Sequence, residues 1–394
     1  VNTHPWFHEY LENSHKAKDI SEVFRREMQL DFSDNSLVYF QSQPDSSRMN
    51  TLRTLYGVFI VIGIAISWVG STQFAKSTYT SSFDAPWFVV WFSTSWMLLC
   101  FPVISLCFRL IKGYRLRTCF AKAETVFGDR GLCPFTLITR CLPFVVIWCG
   151  CNYMYTRSLS VLSATDVTAL FSSAPAFVFM LSLLLLKDEL FSLRRLLATL
   201  ISIGGIVVIA YSNGFTGPTT TGVLLAVGSA ILAAMYKVTF KLFIGDGEIE
   251  QVSLFLTCLG LINLLCFWPI LEIMHFTQYE HIIWKHIPWS YLCGSAALGL
   301  LFNFLINFGI AFTFPLFISL GTVLGIPINA AVDAIWRGAP FSWAKGIGAV
   351  MIIVGFILMS LRSKDKEQDE SLSTPQMSSA MFVHDTEKHL LESS

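Results

Sequence analysis

Charge is scarce in this chain. Of its 394 residues, 14% are charged, against about 25% in a typical soluble globular protein. The charges sit in the two ends and a few loops, and long apolar stretches separate them. The formal net charge is zero, so there is no basic field to attract nucleic acid. Enzyme signatures are absent: no P-loop, no dinucleotide glycine fingerprint, no H-E-x-x-H and no G-x-S-x-G. None of the eight histidines lies deep in an apolar stretch. His4, His8, His15, His384 and His389 are in the ends, and His275, His281 and His286 share one loop. That excludes an intramembrane histidine relay. The ten cysteines lack metal-ligand spacing; Cys149-Gly150-Cys151 is the nearest approach. They read as small packing residues. No metal and no cofactor is expected, and no N-x-S/T sequon is present.

What the chain has instead is apolar length. A bilayer core of ~30 Å needs about 20 helical residues. Ten stretches meet or approach that length: 54–74, 86–108, 135–156, 164–186, 194–211, 221–243, 252–274, 290–312, 314–336 and 344–361. The eighth and ninth run together and are divided at Thr313-Phe314-Pro315. Phe (34) and Trp (11) are abundant, as interfacial belts require. The expected fold is an all-α integral membrane protein of ten helices.

Lys and Arg crowd the alternate loops that hold Arg48, Arg53, Arg109–Arg130, Lys187–Arg195 and Arg362–Lys366. The positive-inside rule puts both termini in the cytoplasm, as an even span count also requires. The plasma membrane and the Golgi are not distinguished. The first 53 residues are polar and hold no apolar core of a cleavable signal. Residues 362–394 begin with a long polar stretch and read as a disordered cytoplasmic tail.

The spans divide into two runs, 54–211 and 221–361, that echo one another at an offset of 150 residues. Lys187 falls on Arg337, Phe191-Ser192 on Phe341-Ser342, Arg195 on Lys345 and Gly205 on Gly355. Five spans per copy force the second copy to enter the membrane inverted, the plan of many secondary transporters. Each copy has an interrupted span near its end, at Ser172-Ser173-Ala174-Pro175 and at Gly325-Ile326-Pro327. Paired breaks point to a midplane binding site; the alternative is that Pro175 and Pro327 only bend helices for packing.

Ionisable residues inside spans are costly and face the bundle interior. Asp166 opens span four and Asp333 closes span nine, at similar depth on the non-cytoplasmic side. They could attract a cation or take part in proton coupling. The plainer readings are a helix cap at Asp166, with Thr165 as a rival cap, and an i,i+4 ion pair of Asp333 with Arg337. Lys237, deep in span six, could gate or contact an anion. Arg140 could pair with a phosphate headgroup or with Glu189 across the cytoplasmic mouth. Asn152 and Tyr153, Asn303 and Asn307, and Asn329 could line a solute path or bridge helices. Gly204, Gly205, Gly346, Gly348 and Gly355 in spans five and ten suit close helix contact and leave room for a homodimer. A small-molecule solute and the bilayer are the expected partners.

Several words in this order resemble the solute carrier 35 family, subfamily F, within the drug/metabolite transporter superfamily with its EamA-like repeats. They are Ser163-Ala164-Thr165-Asp166-Val167, Tyr236-Lys237-Val238, Ile287-Pro288-Trp289, Leu292-Cys293-Gly294, Asn307-Phe308-Gly309-Ile310-Ala311, Ser319-Leu320-Gly321 and Ile326-Pro327-Ile328-Asn329-Ala330. The likeness covers roughly residues 54–361. It implies two inverted five-helix repeats, a central cavity built from spans one to four and six to nine, and alternating access. The most similar members are described as thiamine transporters, which implies a cationic solute and a role for Asp166 and Asp333. Related nucleotide-sugar carriers handle anions, for which Lys237 and Arg140 would matter more. A regulatory or scaffolding membrane protein without transport is the remaining alternative.

Overall fold

A computed structural model describes residues 46–113, 115–128, 130–185, 193–213, 217–243, 247–312, 321–339 and 342–360. Packing divides the chain into two units, Val1–Leu55 and Tyr56–Ser394, and the tertiary contacts below all lie in the second. Its helices are α1 (Ser46–Ser77), α2 (Pro86–Ser95), α3 (Cys100–Lys112), α4 (Leu116–Glu124), α5 (Leu142–Val161), α6 (Ala164–Phe171), α7 (Ala174–Leu185), α8 (Leu193–Ser212), α9 (Gly217–Phe243), α10 (Ile249–Cys266), α11 (Trp268–Phe276), α12 (Trp289–Phe312), α13 (Gly325–Arg337) and α14 (Trp343–Ser360). Eight stretches are long and apolar enough to cross a bilayer, some of them made of two consecutive helices. They fall on the first eight expected spans. α14 is a shorter apolar helix on the tenth, and α13 covers the end of the ninth. The expected divide at 313–315, Lys187, Glu189 and the Phe191-Ser192 and Phe341 words lie outside the described residues.

Local chemistry explains the helix ends. Pro86 sits in the first turn of α2, where its missing N–H costs nothing. Gly113 closes α3 with φ +68°, and Gly338 closes α13 with φ +59°, a conformation that favours glycine. The expected break in span four is present: α6 ends at Phe171, Ser172 and Ser173 form a turn, and Pro175 is the second residue of α7. In span nine the interruption lies earlier than Pro327. Leu324 forms the turn, and Pro327 is the third residue of α13. A proline in a first helical turn removes no intrahelical bond, so it does not bend the helix there.

α8 and α14 make the closest helix contact. A Cβ on Gly205 would stand 2.6 Å from the Gly348 carbonyl oxygen, and one on Gly355 would stand 2.7 Å from the Ala198 carbonyl oxygen. The two contacts exchange under the 150-residue offset, since Ala198 corresponds to Gly348 and Gly205 to Gly355. The small-residue faces of the two spans are therefore filled by each other within one chain.

Apolar packing fills the rest of the interior. One cluster joins α2, α5 and α10, with Phe144 set edge-on to Phe255 at 5.2 Å between ring centres. A second surrounds α6, with Leu170, Ile209, Ile326 and Ile352 buried. Outside the spans, β1 (Phe83–Asp84) pairs antiparallel with β2 (His281–Ile282), tying two loops together. Beside this clasp Arg157 meets Asp84 at 2.9 Å. Glu280 is 2% exposed, and its Oε1 accepts from the Trp87 backbone N–H at 2.6 Å. Burial pushes the Glu280 carboxyl up from 4.5 to about 7.

Two outcomes follow. Gly348→Ala should lower the Tm of the detergent-purified protein by several degrees, because its Cβ would lie 2.8 Å from the Gly205 carbonyl oxygen. The better helix propensity of alanine, worth ~1 kcal/mol, does not offset a backbone clash. An unchanged Tm would show that the two helices can separate freely. Glu280 gives a pH signature. Between pH 4.5 and about 7 the folded state holds a proton that the unfolded chain has lost, so this stabilisation is present at low pH and is lost as pH rises through 7. Thermal melts from pH 5 to pH 8 should show a falling contribution that Glu280→Gln removes.

Candidate functional site

A cavity of about 130 Å³ lies between α1, α2, α5 and α12. Its lining is aromatic and neutral polar: Trp68, Trp148, Tyr155 and Phe302 with Thr72, Ser93, Asn152 and Asn303. Among the described residues, no Lys, Arg, Asp or Glu lines it. Trp68 is the hub, stacked on Phe171 at 5.6 Å and 4.8 Å from Phe302 between ring centres. The two asparagines each donate back to their own helix, Asn152 to the Trp148 carbonyl at 2.8 Å and Asn303 to the Gly299 carbonyl at 2.9 Å. The buried Ser93 hydroxyl has no partner among the described residues. Buried hydroxyls are ordinarily hydrogen-bonded, so Ser93 is an open polar contact for a solute or water.

A hydrogen-bonded partition closes one side of this cavity. It begins at its wall, where Thr72 Oγ1 and Tyr155 Oη lie 3.0 Å apart. Tyr155 Oη then approaches Thr168 Oγ1 at 3.4 Å. Thr168 Oγ1 accepts from Asn329 Nδ2 at 3.0 Å. Gln73 Nε2 donates at 2.9 Å to both Asn329 Oδ1 and Asp333 Oδ1. The other Asp333 oxygen accepts from the Thr165 N–H at 2.8 Å and the Thr165 hydroxyl at 2.6 Å. Arg337 completes the cover, with Nε 3.0 Å from Gln73 Oε1 and 3.6 Å from Asp333 Oδ1, and with Nη2 donating to Ser77 Oγ at 2.8 Å. Lys76 donates to the carbonyls of Leu159 and Leu162, at the C-terminal end of α5 where a cation is favoured.

Beyond the partition is a vestibule of about 240 Å³, lined by Asp166, Asp333, Thr165, Lys345 and residues at the ends of α5 and α8. Lys345 Nζ donates to Asp166 Oδ2 at 2.7 Å. The cap of α6 is Ser163, whose hydroxyl accepts from the Asp166 N–H at 3.1 Å; neither Asp166 nor Thr165 fills that role.

The expected site residues therefore separate into groups. Asn152 and Asn303 line the cavity, Asn329, Asp333 and Arg337 form the partition, and Asp166 faces the vestibule. Tyr153 packs edge-on to Trp87 at 5.8 Å and is not in the cavity lining. Lys237 lies on an exposed face of α9. Arg140 is exposed and donates to the Val126 carbonyl at 3.1 Å. The side chain of Asn307 is outside the described residues. Gln73, Lys76 and Lys345, together with Trp68 and Tyr155, carry the site and were not singled out from sequence. A lone amide one turn before Lys76 in an apolar span was the available signal for Gln73.

The chain is similar to Solute carrier family 35 member F3 of Mus musculus, with 38% identity over 315 residues, 78% of this chain and 74% of the relative. The human member F3 is 38% identical over 320 residues, 80% of this chain and 75% of the relative. Member F4 of Mus musculus is 40% identical over 318 residues, 79% and 64% of the two chains. This chain belongs to the solute carrier 35 family. Its likeness is to members of subfamily F, as the sequence words imply. No family model matches the chain. Membership of a solute carrier family, together with the apolar helices, makes this a multi-pass membrane protein and a solute transporter.

In this solute carrier the partition rests on Gln73. Gln73→Ala would leave Asn329 and Asp333, 0% and 3% exposed, each short of a donor. An unsatisfied buried group costs about 1–3 kcal/mol, so a drop of several degrees in Tm is expected. Lys237→Ala, on an exposed face, should leave Tm within about a degree. Equal effects from the two substitutions would refute the partition.

Proposed function

We propose that this solute carrier moves a small organic cation, with thiamine the leading candidate, by alternating access. The observation that carries this reading is where the charge lies. The cavity offers aromatic faces and neutral polar groups without a single cationic side chain. An anion such as a nucleotide sugar would find no counter-charge there, whereas an organic cation is attracted to Trp and Tyr faces. Two carboxylates, Asp166 and Asp333, line the vestibule beyond the partition, with Lys345 paired to Asp166. Lys237 and Arg140, which an anion carrier would need, are not in the cavity lining.

The transport scheme is two inverted five-helix repeats in a ten-helix bundle, with both termini cytoplasmic and the solute held near the midplane. The exchange of the Gly205 and Gly355 contacts under the 150-residue offset supports the repeat. The short α6–α7 break and the turn at Leu324 support broken helices flanking the path. At about 130 Å³ the cavity is below the ~300–1,000 Å³ of ordinary small-molecule sites. Solute entry therefore requires the helices to move apart.

Uptake into proteoliposomes tests the assignment. Radiolabelled thiamine should accumulate saturably, with competition from other organic cations and none from nucleotide sugars. Trp68→Ala, which removes the aromatic hub, should cut uptake at least tenfold in protein that still melts cooperatively. Nucleotide-sugar uptake without thiamine uptake would overturn the cation reading. The absence of either from folded, inserted protein would remove thiamine as the solute.

A further inference from the structure

The vestibule contains a carboxylate that is only half used. Asp166 is 2% exposed, and one oxygen is taken by Lys345 Nζ at 2.7 Å. The other oxygen, Oδ1, is buried and has no hydrogen-bond partner among the described residues. Buried carboxylate oxygens are ordinarily satisfied. Asp166 also lines a vestibule of about 240 Å³ that has room for a second donor.

Lys345 is unusual for its own helix. It is the third residue of α14, where the partial positive charge of the helix N-terminus opposes a cation. Its ammonium has no other hydrogen bond or ion pair among the described residues. Among the described residues Asp166 alone pairs with it, and this pair is the polar tie between the start of α14 and the start of α6, beside the apolar packing of Ala349 and Ile352 around Leu170. The opposite arrangement holds at Asp333, whose two oxygens accept from Thr165 and Gln73. One carboxylate is saturated by the partition; the other is held by an exchangeable cation.

We propose that Lys345 is a tethered stand-in for the transported solute. It occupies Asp166 while the vestibule is empty. An organic cation that enters takes Asp166 from it, which releases α14 from α6 and lets this mouth open. The ligand class rests on the cation reading above; the latch rests on the pair itself. Exchange of one monocation for another leaves the charge on Asp166 balanced throughout, so no bare carboxylate is exposed to a low-dielectric site. A neutral or anionic solute cannot make that exchange. α14 would carry α8 with it, because Gly205 and Gly348 bring the two backbones into contact. The Asp333 network remains as a second closure, so loss of Lys345 shifts the mouth toward open without abolishing the closed state.

Spin-label distances across the mouth test this on the full chain in nanodiscs. Labels go on Val161→Cys and Trp343→Cys, both exposed, with reactive native cysteines changed to serine. Without solute, wild type and Lys345→Arg should give one short distance, and Lys345→Gln should add a longer population. Asp166→Asn/Lys345→Gln, which buries no unpaired charge, should add it too and decides the matter if the single variant does not fold. Thiamine or tetraethylammonium should lengthen the wild-type distance, and Lys345→Gln should bind the active cation at least tenfold more tightly, having lost its competitor. An unchanged distance in the double variant overturns the latch. Weaker cation binding by Lys345→Gln overturns the competition, as does a wild-type distance that neither cation moves. A response to tetraethylammonium but not to thiamine upholds the proposal and removes thiamine as the solute.

Discussion

The arrangement of this bundle depends on the solvation of Asp333. A carboxylate that is 3% exposed between helices can remain only if other elements supply its hydrogen bonds. Here they come from α1 through Gln73 and from α6 through Thr165. That requirement fixes three elements that are far apart in sequence. It brings Asn329 and Arg337 of α13 against the last turns of α1 and sets Tyr155 and Thr168 as the wall between cavity and vestibule. Breaking such a buried carboxylate from its partners costs on the order of 3–5 kcal/mol, a large share of a marginal folding free energy. A closure of this kind persists until something replaces the lost interactions.

The glycine contact between α8 and α14 serves a different purpose. It holds two backbones together by shape alone, with no charge and no hydrogen bond to exchange. Gly205, Gly348 and Gly355 lie where a Cβ would meet a backbone oxygen of the facing helix. Within a membrane, where lipid tails are as apolar as leucine, close backbone packing of this sort is what drives helix association. The pair therefore packs as one element, beside a polar partition held by exchangeable hydrogen bonds.

The spans were legible in the sequence because about 20 apolar residues in a row have few other uses. So was the importance of Asp166 and Asp333, since a carboxylate within a span demands an explanation. Apart from Arg337, four residues beyond Asp333 and 3.6 Å from it, their partners were not legible. Gln73 stands 260 residues from Asp333, and Lys345 stands 179 from Asp166; only the packed bundle brings them together. Lys345 reads from sequence only as the repeat counterpart of Arg195, and Arg337 as a helical i+4 partner, yet the hydrogen bonds of Arg337 go to Gln73 and Ser77. Aromatic residues misled in another way. With 34 Phe and 11 Trp in the chain, Trp68 cannot be told from belt or core residues until its neighbours are known. The displaced break at Leu324 shows a further limit: a proline marks the neighbourhood of an interruption, but its tolerated place in the first helical turn leaves the turn itself to the residues before it.

The two mouths cannot close by the same chemistry. Under the 150-residue offset Asp166 falls on Leu316, Asp333 on Leu183 and Gln73 on Val223. The offset that exchanges the glycine contacts does not exchange the buried carboxylates. In the proposed scheme one mouth is held by charge and hydrogen bonds, and its counterpart has no carboxylate at the corresponding positions. Apolar contact inside a bilayer carries little of the driving force that it has in water, whereas a satisfied ionic partition is strong there. In the transport scheme proposed above the two closures are therefore unlike in strength, and the structure has the Asp166–Asp333 side shut. A cation that reaches that mouth meets a closure made of its own kind of interaction, two carboxylates already held by Lys345, Gln73, Thr165 and Arg337.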